Sequence, residues 1–290
     1  MRRRVPHNQR MKTRSWLVTG ISSGFGYAVS RRVLKEGGRV AGTTRNPHAP
    51  EVQALVEEYP DRLLVLENGL RDEVTRTRAW EAVKEFGVPD VVLLNAGFGT
   101  FGAVEDSQVS DVLEMMQVNF VAQMDMLRHC LPNMRERGGG TILVMGAAAS
   151  IANYPGFAAY GASKAALEFA AESLAQEVRP LGIRVHILQP GPFRTRFLKA
   201  GMERSAVAGS GSAYEGTVGK FMKILGSMEG KQSGDPDRAA SVILELPDRE
   251  DVPLRVPLGK YAADKARRVA AARLRDLDKT LFAEATDYVA

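Results

Sequence analysis

Short apolar runs alternate with longer segments of helical periodicity, and this alternation most constrains what the chain can fold into. The runs are Ser15–Thr19, Arg39–Thr43, Arg62–Leu66, Asp90–Leu94, Thr141–Met145, Ile183–Leu188 and a shorter Pro253–Pro257. The helical patterns cover Gly24–Glu36, Glu51–Glu58, Asp72–Glu85, Val109–Arg137 and Phe157–Val178. Strands followed by helices pair in parallel through right-handed crossovers. Their Val, Leu and Ile runs are nearly continuous, as expected of strands covered on both faces. The expectation is an α/β, doubly wound parallel sheet of about seven strands. With 290 residues, 44% of them hydrophobic, and with no linker or internal repeat, residues 14–290 are expected to form a single domain.

Three segments fall outside the alternation. Residues 1–13 read as a disordered basic arm. Residues 199–232, rich in Gly, Ser, Ala and Met, read as a lid with helix from Ala213 to Leu225, and Met202, Val207, Phe221, Met222 and Leu225 there would face an apolar substrate or simply pack. Residues 261–290 read as an amphipathic tail that packs on the body through Ala263, Ala266, Val269 and Ala270.

Several function classes are excluded. No apolar run reaches the roughly 18 residues of a membrane span, and no apolar core follows the basic N-terminus as a secretory signal requires. The formal charge of +5 lacks the interleaved aromatics of a nucleic-acid surface. His7, His48, His129 and His186 are scattered without ligand spacing, so no metal is expected. Cys130 is the only cysteine, which fits a reducing, cytoplasmic setting, and its apolar neighbours Met124, Leu127 and Leu131 mark a buried structural thiol.

Two motifs carry chemistry. The first strand runs into Thr19-Gly-Ile-Ser-Ser-Gly-Phe-Gly26, where Gly20 permits a tight turn and Gly24 and Gly26 allow close approach. Ser22, Ser23, Gly24 and Phe25 would offer main-chain N–H groups and a positive helix end to a pyrophosphate. This is the glycine turn of a Rossmann-like sheet. The second strand ends in Thr43-Thr44-Arg45 with no carboxylate, so Arg45 would favour the 2′-phosphate of NADP(H). In the second motif, Tyr160 and Lys164 lie at i and i+4 on one helix face. The ammonium would lower the pKa of the phenol toward a working range.

Together the motifs resemble the short-chain dehydrogenase/reductase family over Ser15 to Gly259. The shared elements include Asn95-Ala96-Gly97, Asn119, Tyr160, Lys164 and Pro190-Gly191-Pro192-Phe193-Arg194-Thr195. The last stretch and Val256-Pro-Leu-Gly259 look like the retinol- and hydroxysteroid-dehydrogenase branch. The resemblance implies Tyr160 as general acid or base, Lys164 on the nicotinamide ribose, and Asn119 anchoring a water beside Lys164. It also implies Asn95, Ala96 and Gly97 along the adenosine side, Thr195 on the carboxamide, and dimers or tetramers built on the long helix and the Tyr160 helix.

The chain departs from that pattern. Thirteen residues before Tyr160, where the family places a serine, stands Ala147. Ser150 could replace the lost hydroxyl only through a rearranged loop. Gly69 stands where an aspartate would contact adenine, and Leu94 replaces the first asparagine of Asn-Asn-Ala-Gly. The expectation is an NADP(H)-dependent oxidoreductase acting between a ketone and a secondary alcohol of an apolar small molecule. The alternatives that Ala147 leaves open are non-redox acid–base chemistry (isomerase, dehydratase or cyclase), a catalytically impaired variant, and a cofactor-binding non-enzyme.

Overall fold

A computed structural model describes residues 13–67, 72–203, 205 and 212–279. The basic arm up to residue 12, Gly69, Val207 and the tail beyond residue 279 lie outside the described residues.

Seven parallel strands form one sheet in the order β3-β2-β1-β4-β5-β6-β7. They are β1 (Ser15–Thr19), β2 (Arg39–Thr44), β3 (Leu63–Glu67), β4 (Val91–Leu94), β5 (Gly140–Met145), β6 (Ile183–Pro190) and β7 (Arg255–Leu258). Leu17 of β1 stands in register with Ala41 of β2 and Val92 of β4. The chain runs one way from β1 to β3 and the other way from β4 to β7. The carboxyl ends of β1 and β4 therefore flank the crevice where open α/β sheets bind ligands.

Helices cover both faces. Period-two alternation sends Val18, Val40, Leu93 and Leu143 to one face, where they pack with α1 (Gly24–Lys35), α2 (Pro50–Glu58) and α10 (Pro236–Glu245). It sends Leu17, Val92, Ile142 and Ile187 to the other, against α3 (Glu73–Phe86), α5 (Ala122–Glu136) and α7 (Ala158–Val178). Cys130 is fully buried in that second layer, and burial pushes its thiol pKa up, as a structural thiol requires. A third apolar cluster, including Phe101, Met115, Ala147, Phe157, Tyr160, Val218 and Met222, caps the carboxyl end of the sheet.

Local chemistry explains the boundaries. The Asp72 carboxylate accepts the Thr75 N–H at 2.7 Å to start α3, and Asp235 accepts from Asp237 N at 2.9 Å ahead of Pro236 to start α10. Pro180 follows α7, and Gly182 at φ 73° turns the chain into β6.

One expectation holds with a refinement and one is corrected. The helix read over Val109–Arg137 is continuous, running from α4 (Val109–Met116) through a π turn over Gln117–Val121 into α5. The wider turn coincides with Asn119, whose carboxamide leaves the helix to bond Phe98. In the tail, α11 (Lys260–Leu277) docks on the body through Ala262 and Lys265, while Ala270 is exposed. Lys265 is buried because its Nζ donates to Ala152 O and lies 3.5 Å from the Tyr154 ring centroid.

Candidate active site

The glycine turn is tied to its neighbours through main chain. Gly20 N and Ile21 N donate to Thr43 O at 3.0 and 2.9 Å, fixing the turn to the end of β2. Gly20 and Gly24 have φ of +79° and +57°, values that side chains rarely adopt. A Cβ on Gly26 would lie 2.0 Å from Gly20 O, so no larger residue fits. Ser23 caps α1 in an extended conformation without a side-chain hydrogen bond, and the first turn has no acidic residue. The amides at this helix end are thus left to an anion, and the cradle fits a pyrophosphate. Arg45 follows directly on β2 and is exposed.

The next layer is β4 and the segment after it. Asn95 N and Ala96 N donate to Thr19 Oγ1 at 2.8 and 2.9 Å, and Asn95 Nδ2 donates to Thr19 O at 2.9 Å. Leu94 is fully buried at the end of its strand, so the side chain that replaces an asparagine is accommodated by packing. Gly97 is the meeting point. A Cβ there would stand 3.0 Å from Asn119 Oδ1 and 3.1 Å from Lys164 Nζ. Asn119 is fully buried; its Oδ1 accepts from Phe98 N at 3.0 Å and its Nδ2 donates to Phe98 O and Ser163 Oγ at 2.8 and 2.9 Å. The fold therefore brings Asn95–Gly97, Asn119 and Lys164 to one place, as their order in the sequence suggested.

Lys164 is 3% exposed, and its Nζ donates to Met145 O at 2.8 Å. Burial lowers its pKa to about 8 even though the Glu168 carboxylate opposes the fall. One turn earlier, Tyr160 is 7% exposed among aromatic rings, with Phe197 at 5.0 Å, Phe157 at 5.9 Å and Phe101 at 6.4 Å between centroids. Among the described residues none hydrogen-bonds the Tyr160 hydroxyl. The expected lowering of the phenol pKa is reversed here. Burial raises it, because desolvation penalises the phenolate, and the Glu168 charge raises it further.

Ala147 lies two residues past β5, extended and directly ahead of the short α6 (Ala148–Ile151), with its methyl in the same cluster as Tyr160. Ser150 does not take over. Its hydroxyl bonds Ala147 O at 2.5 Å and the Glu168 carboxylate.

The stretch after β6 closes over the glycine turn. The ring of Phe193 meets Phe25 edge-on at 4.8 Å, and Thr195 Cγ2 would be 3.4 Å from a Cβ on Gly24. Gly191 N donates to Leu258 O at 3.1 Å, fixing the stretch after Pro190 to β7. Arg196 Nη2 donates to Ser22 O at 2.8 Å and lies 3.2 Å from Glu51. From Phe197, α8 (Phe197–Glu203) runs across the Tyr160 face, and Met202 packs there together with Phe221, Met222 and Leu225 of α9 (Lys220–Ser227).

Residues 14–205 match the family described as short chain dehydrogenase. The chain belongs to the short-chain dehydrogenase family. Within it, the chain is similar to oxidoreductase BOA17 of Botryotinia fuckeliana (strain B05.10), 30% identical over 263 residues that span 89% of this chain and 93% of that protein. It is similar to 17-beta-hydroxysteroid dehydrogenase type 1 of Homo sapiens, 33% identical over 190 residues, 63% of this chain and 58% of that enzyme. Its fold matches the crystal structure of a short-chain dehydrogenase from Streptomyces avermitilis with a TM-score of 0.86 at 33% identity, covering 96% of this chain and 100% of that one. By this kinship the chain is a short-chain dehydrogenase-type oxidoreductase.

Four residues of this short-chain dehydrogenase site escaped the sequence reading. They are Glu168 and Gln189 behind Lys164, Ser163 beside Asn119, and Phe197 against Tyr160. Glu168 carried a readable signal, since Tyr160, Lys164 and Glu168 recur every four residues on one helix face. Among the described residues no group of His, Cys, Asp or Glu could hold a metal ion, and no helix is long and apolar enough to cross a membrane.

Proposed function

We propose that this short-chain dehydrogenase reduces a ketone on an apolar small molecule with NADPH, and that Tyr160 donates the proton. One observation supports this above the others: Gly97 packs against both Asn119 and Lys164, which sets the Tyr160 helix beside the crevice that opens at the glycine turn. The amides of Ser22, Ser23, Gly24 and Phe25 would hold the pyrophosphate, and Gly20 and Gly26 leave room for it. Arg45 would bind the 2′-phosphate. Asn95, Ala96 and Gly97 would line the adenosine side, Pro190, Gly191 and Phe193 the nicotinamide side, and Thr195 would hold the carboxamide. When bound, the reduced nicotinamide would supply the hydride.

The residues of the chain do the rest. Lys164 holds the nicotinamide ribose and keeps a positive charge beside the phenol. Tyr160 stays protonated, because burial and Glu168 both raise its pKa, and it gives its proton to the carbonyl oxygen as charge develops there. Supply of the reduced cofactor would set the direction toward ketone reduction. Asn119 holds the Phe98 main chain and Ser163, and through them the Tyr160 helix. Phe101, Phe157, Phe197 and Phe221 would form an apolar wall for the substrate.

A second reading, acid–base chemistry without hydride transfer, draws on Ala147, which leaves the substrate oxygen without the serine hydroxyl. The exposed apolar residues Val109, Leu113, Val121 and Phe169 on the long helix and the Tyr160 helix favour a homo-oligomer, and the single cysteine fits the cytoplasm. The test is NADPH titration by nicotinamide fluorescence, followed by NADPH oxidation with a panel of apolar ketones. Saturable binding with ketone-dependent oxidation is expected. Saturable binding with no turnover of any ketone would favour the second reading, and no binding would remove the dinucleotide.

A further inference from the structure

Glu168 is a carboxylate 4% exposed in the middle of α7, and the surrounding structure makes room for it. Its Oε1 accepts from Ser150 Oγ and from Ala147 N at 3.3 Å, and its Oε2 accepts from Gln189 Nε2 at 2.8 Å. The backbone is cleared for it: a Cβ on Gly146 would lie 2.0 Å from Glu168 Oε1. The nearest arginine on this face, Arg255 of β7, is bound to Glu172 at 2.7 Å instead. Three groups without formal charge therefore surround the buried carboxyl, whose pKa burial raises, and among the described residues no cation lies within ion-pair distance of it. Burying a carboxylate is costly, and a neutral glutamine of the same shape could brace the turn at lower cost. What only the anion provides is a field, and one helical turn away lies the buried ammonium of Lys164. The two side chains also grip one turn of backbone, Lys164 through Met145 O and Glu168 through Ala147 N.

We propose that Glu168 is a positioning residue of the active site: its carboxylate pins the turn between β5 and Ala147 and supplies the negative charge that keeps the buried Lys164 ammonium cationic. This rests on the reading of Tyr160 and Lys164 as the proton-handling pair. The charged or titratable groups facing Glu168 are Lys164, Tyr160 and Glu172 on α7 and Arg255 on β7; Ser150 and Gln189 face it as neutral donors. Of these, Lys164 is the cation whose charge burial opposes and Glu168 supports. Ser150 contributes from the other side, since its hydrogen bond lowers the Glu168 pKa, which burial raises.

The experiment compares pH profiles of NADPH-dependent ketone reduction for the wild type, Glu168→Gln and Ser150→Ala. Glu168→Gln should move the alkaline limb to lower pH by about one unit, because Lys164 loses its proton earlier. Ser150→Ala, which removes one hydrogen bond but leaves Glu168 ionised at alkaline pH, should leave the alkaline limb in place. An unmoved alkaline limb in soluble Glu168→Gln, with only reduced thermal stability, would make Glu168 a brace and overturn the proposal, as would an equal shift in Ser150→Ala. A readout free of turnover is the thermal unfolding of Glu168→Gln, Lys164→Met and the double variant. The cost of Glu168→Gln should shrink by at least about half once the lysine is gone, whereas additive costs would contradict the coupling. If the wild type reduces no ketone, the proposed reaction fails, and this cycle still decides the role of Glu168.

Discussion

Around β1, β2 and β4 the walls of the site are main chain and small side chains, whereas around β5, β6 and α7 they are aromatic rings and buried charges. In the first region Thr19, Gly20 and Ile21 are held by hydrogen bonds to Thr43, Asn95 and Ala96. In the second, Phe101, Phe157 and Phe197 enclose Tyr160, and Glu168 and Lys164 are buried beneath them. The first region is built for a ligand whose phosphates meet backbone, and its geometry tolerates almost no added atom. The second is built on volume and charge, so it can change substrate, or lose a hydroxyl at Ala147, without losing the fold.

Substitutions should separate the two regions. The largest effect is expected from Tyr160→Phe, which should lower ketone reduction by about 10² to 10⁴ while leaving NADPH affinity unchanged by fluorescence titration; a matching loss of affinity would merge the two regions. Gly26→Ala should act in the opposite way. Its methyl has no space against Gly20 O, so NADPH binding should disappear and unfolding should come earlier by about 1–3 kcal/mol, read by calorimetry. Arg45→Ala should weaken NADPH by about ten- to a hundredfold and leave NADH unaffected; equal losses would take Arg45 off the 2′-phosphate. The smallest effect concerns pH. The folded-state pKa of Lys164 lies below its unfolded value, so the unfolded chain binds more protons as pH rises above about 8. The lysine's contribution to stability should therefore increase through that range. Lys164→Met should remove that increment from the pH dependence of thermal unfolding.

The two regions also differ in how much the sequence discloses. Strand runs and the glycine turn are local signals, because hydrophobic period and residue size act where they are written. Thr19 to Gly26 and Tyr160 with Lys164 could thus be identified without coordinates. Glu168 reads as one acid in Ala165-Ala-Leu-Glu168-Phe169, yet the acid is buried and Phe169 is 70% exposed. Only tertiary packing, with Ser150, Gln189 and the space at Gly146, reverses the ordinary hydrophobic preference. The same holds for Lys265, a charged residue that packing buries over the Tyr154 ring. The direction of the Tyr160 pKa shift depends on desolvation, a quantity that chain spacing does not encode.

The most direct test is the rate of NADPH oxidation with apolar ketones for the wild type and Ala147→Ser under identical conditions. If Tyr160 hands its proton to a carbonyl beside Ala147, restoring the hydroxyl donor should raise turnover at least about tenfold. An unchanged rate in a folded, NADPH-binding Ala147→Ser variant would contradict that account of the site.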